Sequence, residues 1–325
     1  MERNYFFVEF CSKSTSPYQE CHLCPRNCGV NRSVRPGFCG MSSELRISRV
    51  GLHMWEEPCL SETEGSGTIF FTGCSLGCVF CQNHEISRRI DRTSSSSTAS
   101  DNSSSGPYEL PGRVYSIEEF ADAMLGLQAQ GANNINFVTG THFVPHIIEG
   151  VLLARERGLS IPTVYNCGGY ESVETIRSLE GTIDIYLPDM KYFSSRISAK
   201  YSHAPDYFER AKEAVAEMAR QCPEQVFDGN GLMKKGVIVR HLMLPGLLFD
   251  SKHVLDYLCE TYGNSITISL MNQYTPMPGV PTELSRPLSS EHYRAMVDHL
   301  ALSGQENAFI QEGGTVSESF IPDFE

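Results

Sequence analysis

One short stretch constrains this chain more than any other: the segment GCSLGCVFC (73–81), which follows directly on the apolar run Thr68–Phe71. It spaces Cys74, Cys78 and Cys81 as C-x3-C-x2-C. A short apolar run bounded by a glycine turn reads as a buried strand, so the three thiols share one loop at a strand end. Three thiolates on one loop can ligate three irons of a [4Fe–4S] cubane. The spacing leaves the fourth iron without a nearby cysteine. An open metal position is what chemistry requires, because a substrate or cofactor must reach the ion. Structural zinc is the rival, but it usually wants four ligands with CxxC-type pairs.

The chain has 325 residues and twelve cysteines. In a chain of this length without a secretory signal, metal or redox chemistry is expected rather than disulfides. A second group, Cys21, Cys24, Cys28 and Cys39, reads C-x2-C-x3-C-x10-C. It can close a structural zinc site or hold a second iron–sulfur cluster, and spacing does not separate the two. Cys11, Cys59, Cys167, Cys222 and Cys259 are scattered and read as inert buried thiols.

The formal net charge of −13 disfavours non-specific binding to nucleic acid, whose backbone wants a basic face. No apolar run approaches the roughly 20 residues of a membrane span. The start, MERNYFFVEFCSKS, lacks a small-residue cleavage pattern, so a cytoplasmic location is expected. A hydrophobic content of 41% excludes disorder as the main state.

Residues 1–62 show little periodicity and read as a cysteine-rich, loop-rich N-terminal extension. From 63 to 304 strands alternate with helices, and 305–325 read as a C-terminal tail. Strands are predicted at 68–71, 135–138, 163–166, 183–187, 237–244 and 265–270. Helices are predicted near 117–125, 146–157, 171–179, 207–220, 252–262 and 289–302. Ser116 with Glu119 matches a capping box. The Ser-rich stretch Thr93–Gly106 reads as a flexible surface loop. Six strands alternating with helices imply a parallel sheet with right-handed crossovers. No GxGxxG or GxxxxGK[ST] follows a strand, and neither HExxH nor GxSxG occurs. The fold class is therefore α/β, and a barrel or partial barrel is the better reading, with its site at the C-terminal strand ends.

The cluster loop, with Phe80 one residue before its last cysteine, resembles the signature of the radical S-adenosylmethionine (SAM) superfamily. GTIFFTGCSLGCVFCQN (67–83), DMK (189–191) and VRHLMLPG (239–246) resemble the branch like the pyruvate formate-lyase activating enzyme. Within it, CHLCPRNCGVNR (21–32), NINFVTGTH (134–142), VYNCGGY (164–170) and DIYLPDMKY (184–192) resemble an activating-enzyme-like subfamily. The match runs over essentially the whole chain. The resemblance implies a partial (βα)6 TIM-like barrel, a [4Fe–4S] cluster that chelates SAM, reductive cleavage of its S–C5′ bond, and a 5′-deoxyadenosyl radical that abstracts hydrogen from a substrate. It also implies an electron donor such as flavodoxin or ferredoxin and allows a protein substrate activated as a glycyl radical. Asp189 and Lys191 are placed near the SAM carboxylate, with an ordinary exposed ion pair as the alternative. Asn166, Arg240 and Gln273 are placed at SAM or substrate; for Arg240 and Gln273 structural hydrogen bonding is the alternative. Where many relatives carry Gly-Gly-Glu after the second strand, this chain has Thr139, Gly140, Thr141 and His142. Backbone contact to the SAM amino group is expected to survive there. His142 is either a proton donor near substrate or a polar residue capping the next helix. A function from another class, an iron–sulfur carrier or metal-binding protein without catalysis, would form no 5′-deoxyadenosine.

Overall fold

The computed structural model describes residues 16–87 and 110–311. Its strands, in chain order, are β1 (Arg46–His53), β2 (Ser66–Phe71), β3 (Arg113–Val114), β4 (Ile135–Val138), β5 (Thr163–Cys167), β6 (Ile185–Pro188), β7 (Val226–Phe227), β8 (Met233–Leu242), β9 (Thr267–Met271) and β10 (Ala308–Ile310). The helices that match the predicted ones are α1 (Ile117–Ala129), α2 (Val144–Glu156), α3 (Val173–Ser178), α4 (Tyr207–Gln221), α5 (Leu248–Tyr262) and α6 (Ser290–Leu302).

The sheet runs β10-β9-β8-β6-β5-β4-β2-β1-β3. From β2 to β10 every neighbouring pair along this path is parallel. All six predicted strands are present in their predicted order, and the fold is an α/β partial barrel, as the alternation and the family resemblance together led one to expect. Strands β2, β4, β5 and β6 are buried along their whole length, as expected for strands covered on both faces.

Local rules account for most boundaries. Ser116 Oγ accepts the Glu119 amide (3.1 Å) and Glu119 Oε2 accepts the Ser116 amide (2.9 Å), the reciprocal capping box that starts α1. Helix α2 begins two residues before the predicted start because Pro145 is tolerated in a first turn. Strand β8 begins four residues earlier than its apolar run, because Met233–Lys235 pair antiparallel with β7.

Besides short pieces such as β3 and β7, some larger elements differ from the sequence reading. The extension is not all loop: β1 pairs antiparallel with β2 and shields that edge of the sheet. The segment read as a tail contributes β10, parallel to β9. A further helix spans Ser195–Ser202. The stretch Thr93–Gly106, Cys11 and residues 312–325 lie outside the described residues.

The cap 16–45 is fastened to the barrel by two arginines. Arg32 is 1% exposed, and no carboxylate pairs with it among the described residues. Its guanidinium donates to the carbonyls of Met41 (3.2 Å), Ser42 (2.5 Å) and His142 (2.5 Å). It also lies over the Tyr18 ring at 4.7 Å and the Phe143 ring at 5.4 Å. Only a planar fork reaches three carbonyls at once. Arg32→Lys should therefore cost roughly 2–3 kcal/mol, read as a lowered denaturant midpoint. An unchanged midpoint would show that the fork is dispensable.

Candidate active site

The C-terminal ends of the parallel strands surround a cavity of about 220 Å³. Thr139 follows β4, Asn166 lies in the last turn of β5, Asp189 and Lys191 follow β6, Arg240 lies on β8 and Gln273 follows β9. All six line this cavity, and so do Cys74, Cys78 and Cys81. The strand-end positions and the cysteine loop, read separately from the sequence, thus face one space.

Arg240 organises the charges. Its Nε donates to Asp189 Oδ1 (2.9 Å), Nη2 to Asn166 Oδ1 (2.6 Å), and Nη1 approaches Glu56 Oε2 (3.5 Å). Lys191 Nζ donates to the other Asp189 oxygen at 2.5 Å. Burial pushes the Asp189 carboxyl up, but Arg240 and Lys191 outweigh it and hold Asp189 below the usual range. Burial lowers Lys191, while Asp189 and the Cys78 thiol more than restore it, so the ammonium stays charged. This pair is 15–18% exposed and belongs to a network, unlike an ordinary surface ion pair.

Gly169 (φ +78°) lets the chain after β5 fold against β6: a Cβ there would stand 2.1 Å from the Asp189 carbonyl oxygen. The buried Tyr207 hydroxyl accepts the Lys191 amide (3.0 Å) and lies 2.8–2.9 Å from the Gly168 and Asp189 carbonyls. These contacts fix the direction of both Asp189 and Lys191.

The cysteine loop is held from the cap. Arg26, inside the CPRNC run, donates to the carbonyls of Ser75 (2.8 Å), Leu76 (3.3 Å), Ser202 (2.9 Å) and His203. Gly73 (φ +87°) leaves room for the Cys39 carbonyl, which a Cβ would meet at 2.6 Å. Each thiol accepts a hydrogen bond: Cys74 from the Leu76 amide (3.3 Å), Cys78 from Ser202 Oγ (2.9 Å) and Cys81 from Ser87 Oγ (3.3 Å). Burial pushes the Cys74 thiol up to about 12, and Cys78 and Cys81 push it further in the same direction. Burial also raises Cys78, against the opposing pull of Lys191. Three thiols on one loop, whose thiolates would repel one another, suit a positively charged metal group, which deprotonates its thiol ligands outright. Among the described residues no three His, Cys, Asp or Glu side chains converge on a single ion. A cubane does not need that, since it spreads its thiolates over separate irons.

Other predicted residues fall elsewhere. Gly140 does not line the cavity: it packs so closely that a Cβ would stand 2.5 Å from Ile147 and 3.0 Å from Phe71. Thr139, beside it, holds φ +60°, a conformation that disfavours a β-branched residue and is tolerated where a site demands it. His142 is 2% exposed beneath Arg32, with Nε2 2.7 Å from the Thr72 carbonyl. Burial and Arg32 hold it neutral, at about 3, so it is a packing residue rather than a proton donor to this cavity. Cys21, Cys24, Cys28 and Cys39 share the cap. Cys28 Sγ accepts the Phe38 amide (3.4 Å), and a Cβ on Gly37 would lie 3.6 and 3.8 Å from the Cys39 and Cys28 sulfurs. All four are free thiols.

Two acids went unnoticed in the sequence. Glu56, from the extension, lines the cavity opposite Arg240. Burial raises its carboxyl, and Arg240 partly opposes this. Glu171 lies behind Thr141, accepting from Thr141 Oγ1 (2.8 Å) and the Tyr165 hydroxyl (3.1 Å).

A strand-end cavity joining a C-x3-C-x2-C loop to a buried Asp–Lys–Arg network defines an iron–sulfur enzyme site on a partial barrel. Residues 68–270 match the family model of the Radical SAM superfamily, and the chain belongs to that superfamily, whose members bind a [4Fe–4S] cluster and SAM. It is similar to an uncharacterized protein of Methanocaldococcus jannaschii, 30% identical over 265 residues, covering 80% of this chain and 67% of that protein. Among solved structures it is similar to methylornithine synthase (13% identity, TM-score 0.46), covering 71% of this chain and 60% of that one. It is also similar to Streptococcus suis SuiB bound to SAM (13%, 0.47; 74% and 48%). A third is a domain of pyruvate-formate lyase-activating enzyme from Bacteroides vulgatus (15%, 0.39; 52% and 93%). The chain thus spans less than two thirds of the synthase and about half of SuiB.

Burial lifts Glu171 from an ordinary 4.5 to about 7, with hydrogen bonding from Thr141, Tyr165 and Cys167 opposing. Between those values the folded chain holds a proton that the unfolded chain has released, so stability falls as pH rises and levels off above about 7. Glu171→Gln keeps one acceptor oxygen for one of the two hydroxyls, and the other hydroxyl can turn to accept from the amide NH2. The substitution should flatten that slope and stabilise the protein above pH 7 by about 2–3 kcal/mol. Parallel pH profiles of wild type and variant by denaturant unfolding would speak against this burial cost.

Proposed function

We propose that this protein cleaves SAM reductively and uses the resulting radical to abstract hydrogen from a substrate, in the manner of the activating-enzyme branch. A partner protein converted to a glycyl radical is the substrate we favour. The observation that carries the reading is the single cavity shared by the three thiols and the Asp189–Lys191–Arg240 network. Cys74, Cys78 and Cys81 would hold the [4Fe–4S] cluster. When bound, the cluster supplies the electron that breaks the S–C5′ bond.

The remaining work belongs to the chain's own residues. Lys191, charged and beside both Asp189 and the cysteine loop, pairs with the SAM carboxylate. Asp189 needs that ammonium and Arg240 as counter-charges, since an unpaired carboxylate would repel SAM. Thr139 offers backbone to the SAM amino group, while Asn166 and Gln273 line the adenosyl side. The low-dielectric walls, Leu76, Val138 and Met271, keep water from a reactive intermediate. Flavodoxin or ferredoxin in the cytoplasm would deliver the electron. The four cap thiols are read as a separate structural or relaying metal site, zinc or iron–sulfur, a reading supported by the approach of Cys28 and Cys39 to one another beside Gly37.

Anaerobic reconstitution of the triple variant Cys74→Ala, Cys78→Ala, Cys81→Ala should lose about four irons, the stoichiometry of one cubane. Any iron or zinc that remains belongs to the cap. Unchanged iron content would remove the cluster from this loop. Lys191→Ala should keep the cluster and weaken SAM binding by roughly 1.5–3 kcal/mol, tenfold to more than a hundredfold. Equilibrium titration with SAM measures it, and unchanged affinity would place the carboxylate elsewhere.

A further inference from the structure

A second cavity, of about 490 Å³, adjoins the first and shares Trp55, Glu56, Arg240, Met271 and Gln273 with it. Its size lies within the usual range for a small-ligand pocket, roughly 300–1,000 Å³. It opens between the 54–62 segment and the ends of β9 and β10, so the N-terminal extension and the last strand, β10, add their own residues to a wall begun by the barrel strands. Its walls are of two kinds. Met54, Trp55, Met271 and Phe309 give an apolar and aromatic lining. The charged groups are Glu56, Glu57 and Glu62 against Arg240 alone.

That balance is uneven in a specific way. Arg240 is already committed to Asp189, Asn166 and Glu56. Glu57 is 7% exposed, and its Oε2 is buried without a hydrogen-bond partner. A carboxylate oxygen left unpaired in a buried place is costly and marks a position where a partner belongs. With aromatic and thioether groups beside it, the partner with the right chemistry is an organic cation on an aliphatic stem.

We infer that this cavity is the substrate subsite beside the SAM site, and that it takes an alkylammonium group of the lysine side-chain type, with Glu57 as its counter-charge. The inference rests on the SAM reading of the neighbouring cavity and adds the class of group that the substrate presents. Such a group enters with its stem along Trp55 and Met271, which places the rest of the substrate at the shared wall.

Groups facing Glu57 set a pH signature. Burial lifts its carboxyl to about 7; Arg240 on β8 opposes this, Glu56 adds to it, and Ser269 on β9 lowers it by hydrogen bonding. A cation binds the ionised carboxylate, so affinity should rise as pH rises through about 7 and then level off.

Trp55 is the chain's only tryptophan and lines the cavity, so its emission reports occupancy directly. The cluster-bearing protein is titrated with n-butylammonium, with Nα-acetyl-lysine amide, and with butyrate as the anionic control. Saturable responses to the cations and none to butyrate are expected. Tighter binding of the acetyl-lysine amide indicates a peptide source, and tighter binding of n-butylammonium a small amine. Glu57→Gln should weaken the cation response on the order of tenfold or more. Absence of a saturable cation response, a response to butyrate, or full affinity in Glu57→Gln overturns the inference. Should Glu57→Gln fail to fold, the wild-type pH dependence decides, and a pH-independent affinity overturns it. SAM affinity and 5′-deoxyadenosine formation by the wild type are measured in the same preparation. Their persistence alongside a negative titration removes the cation subsite alone, whereas their loss removes the SAM reading itself.

Discussion

The fold depends on two guanidiniums that bind backbone rather than carboxylate. Arg26 and Arg32 lie six residues apart in the cap, yet between them they reach the cysteine loop, the turn after β4 and the helix that ends at Ser202. Carbonyl oxygens are fixed acceptors, so each bond sets a main-chain position and not merely a side-chain one. Arg26 gathers the carbonyls of Ser75 and Leu76, which lie between the first two cysteines of the loop. A loop of this kind has little core of its own. Its shape is imposed by the cap on one side and by Tyr201–Ser202 on the other, where the Val79 amide also donates to the Tyr201 carbonyl (2.8 Å).

The barrel interior at the strand ends is correspondingly polar. A buried charge is tolerated only when paired and hydrogen-bonded, and Arg240 meets that condition by spanning β5, β6 and the extension at once. The consequence is a site whose side chains hold one another in place. Asp189 and Lys191 are fixed by Tyr207, Asn166 by Arg240, and the thiols by serine hydroxyls and backbone amides. The same crowding leaves Glu57 Oε2 unmatched at the boundary with the neighbouring cavity, the place where the polar network stops short of closing.

Sequence by itself determined the features that depend on near neighbours. The six strands and their helices were legible from apolar runs and spacing, α1 from its capping box, and the thiol loop from three cysteines within eight residues. The strand-end position of Asp189, Lys191 and Asn166 followed from the rule that barrel sites form at C-terminal strand ends. Tertiary structure decided what depends on distant neighbours. Glu56 meets Arg240 across 184 positions, and Arg26 meets the His203 carbonyl across 177. No local pattern encodes such pairings, and an acid or arginine in a loop-rich segment looks the same whether it faces water or the barrel. The fate of His142 was decided in the same way: its neighbours in sequence placed it beside the site, while the burial of Arg32 turned it beneath. Local energetics act over a few residues and leave a trace in the sequence, whereas the desolvation that selects a charge's partner acts only once the chain has closed around it.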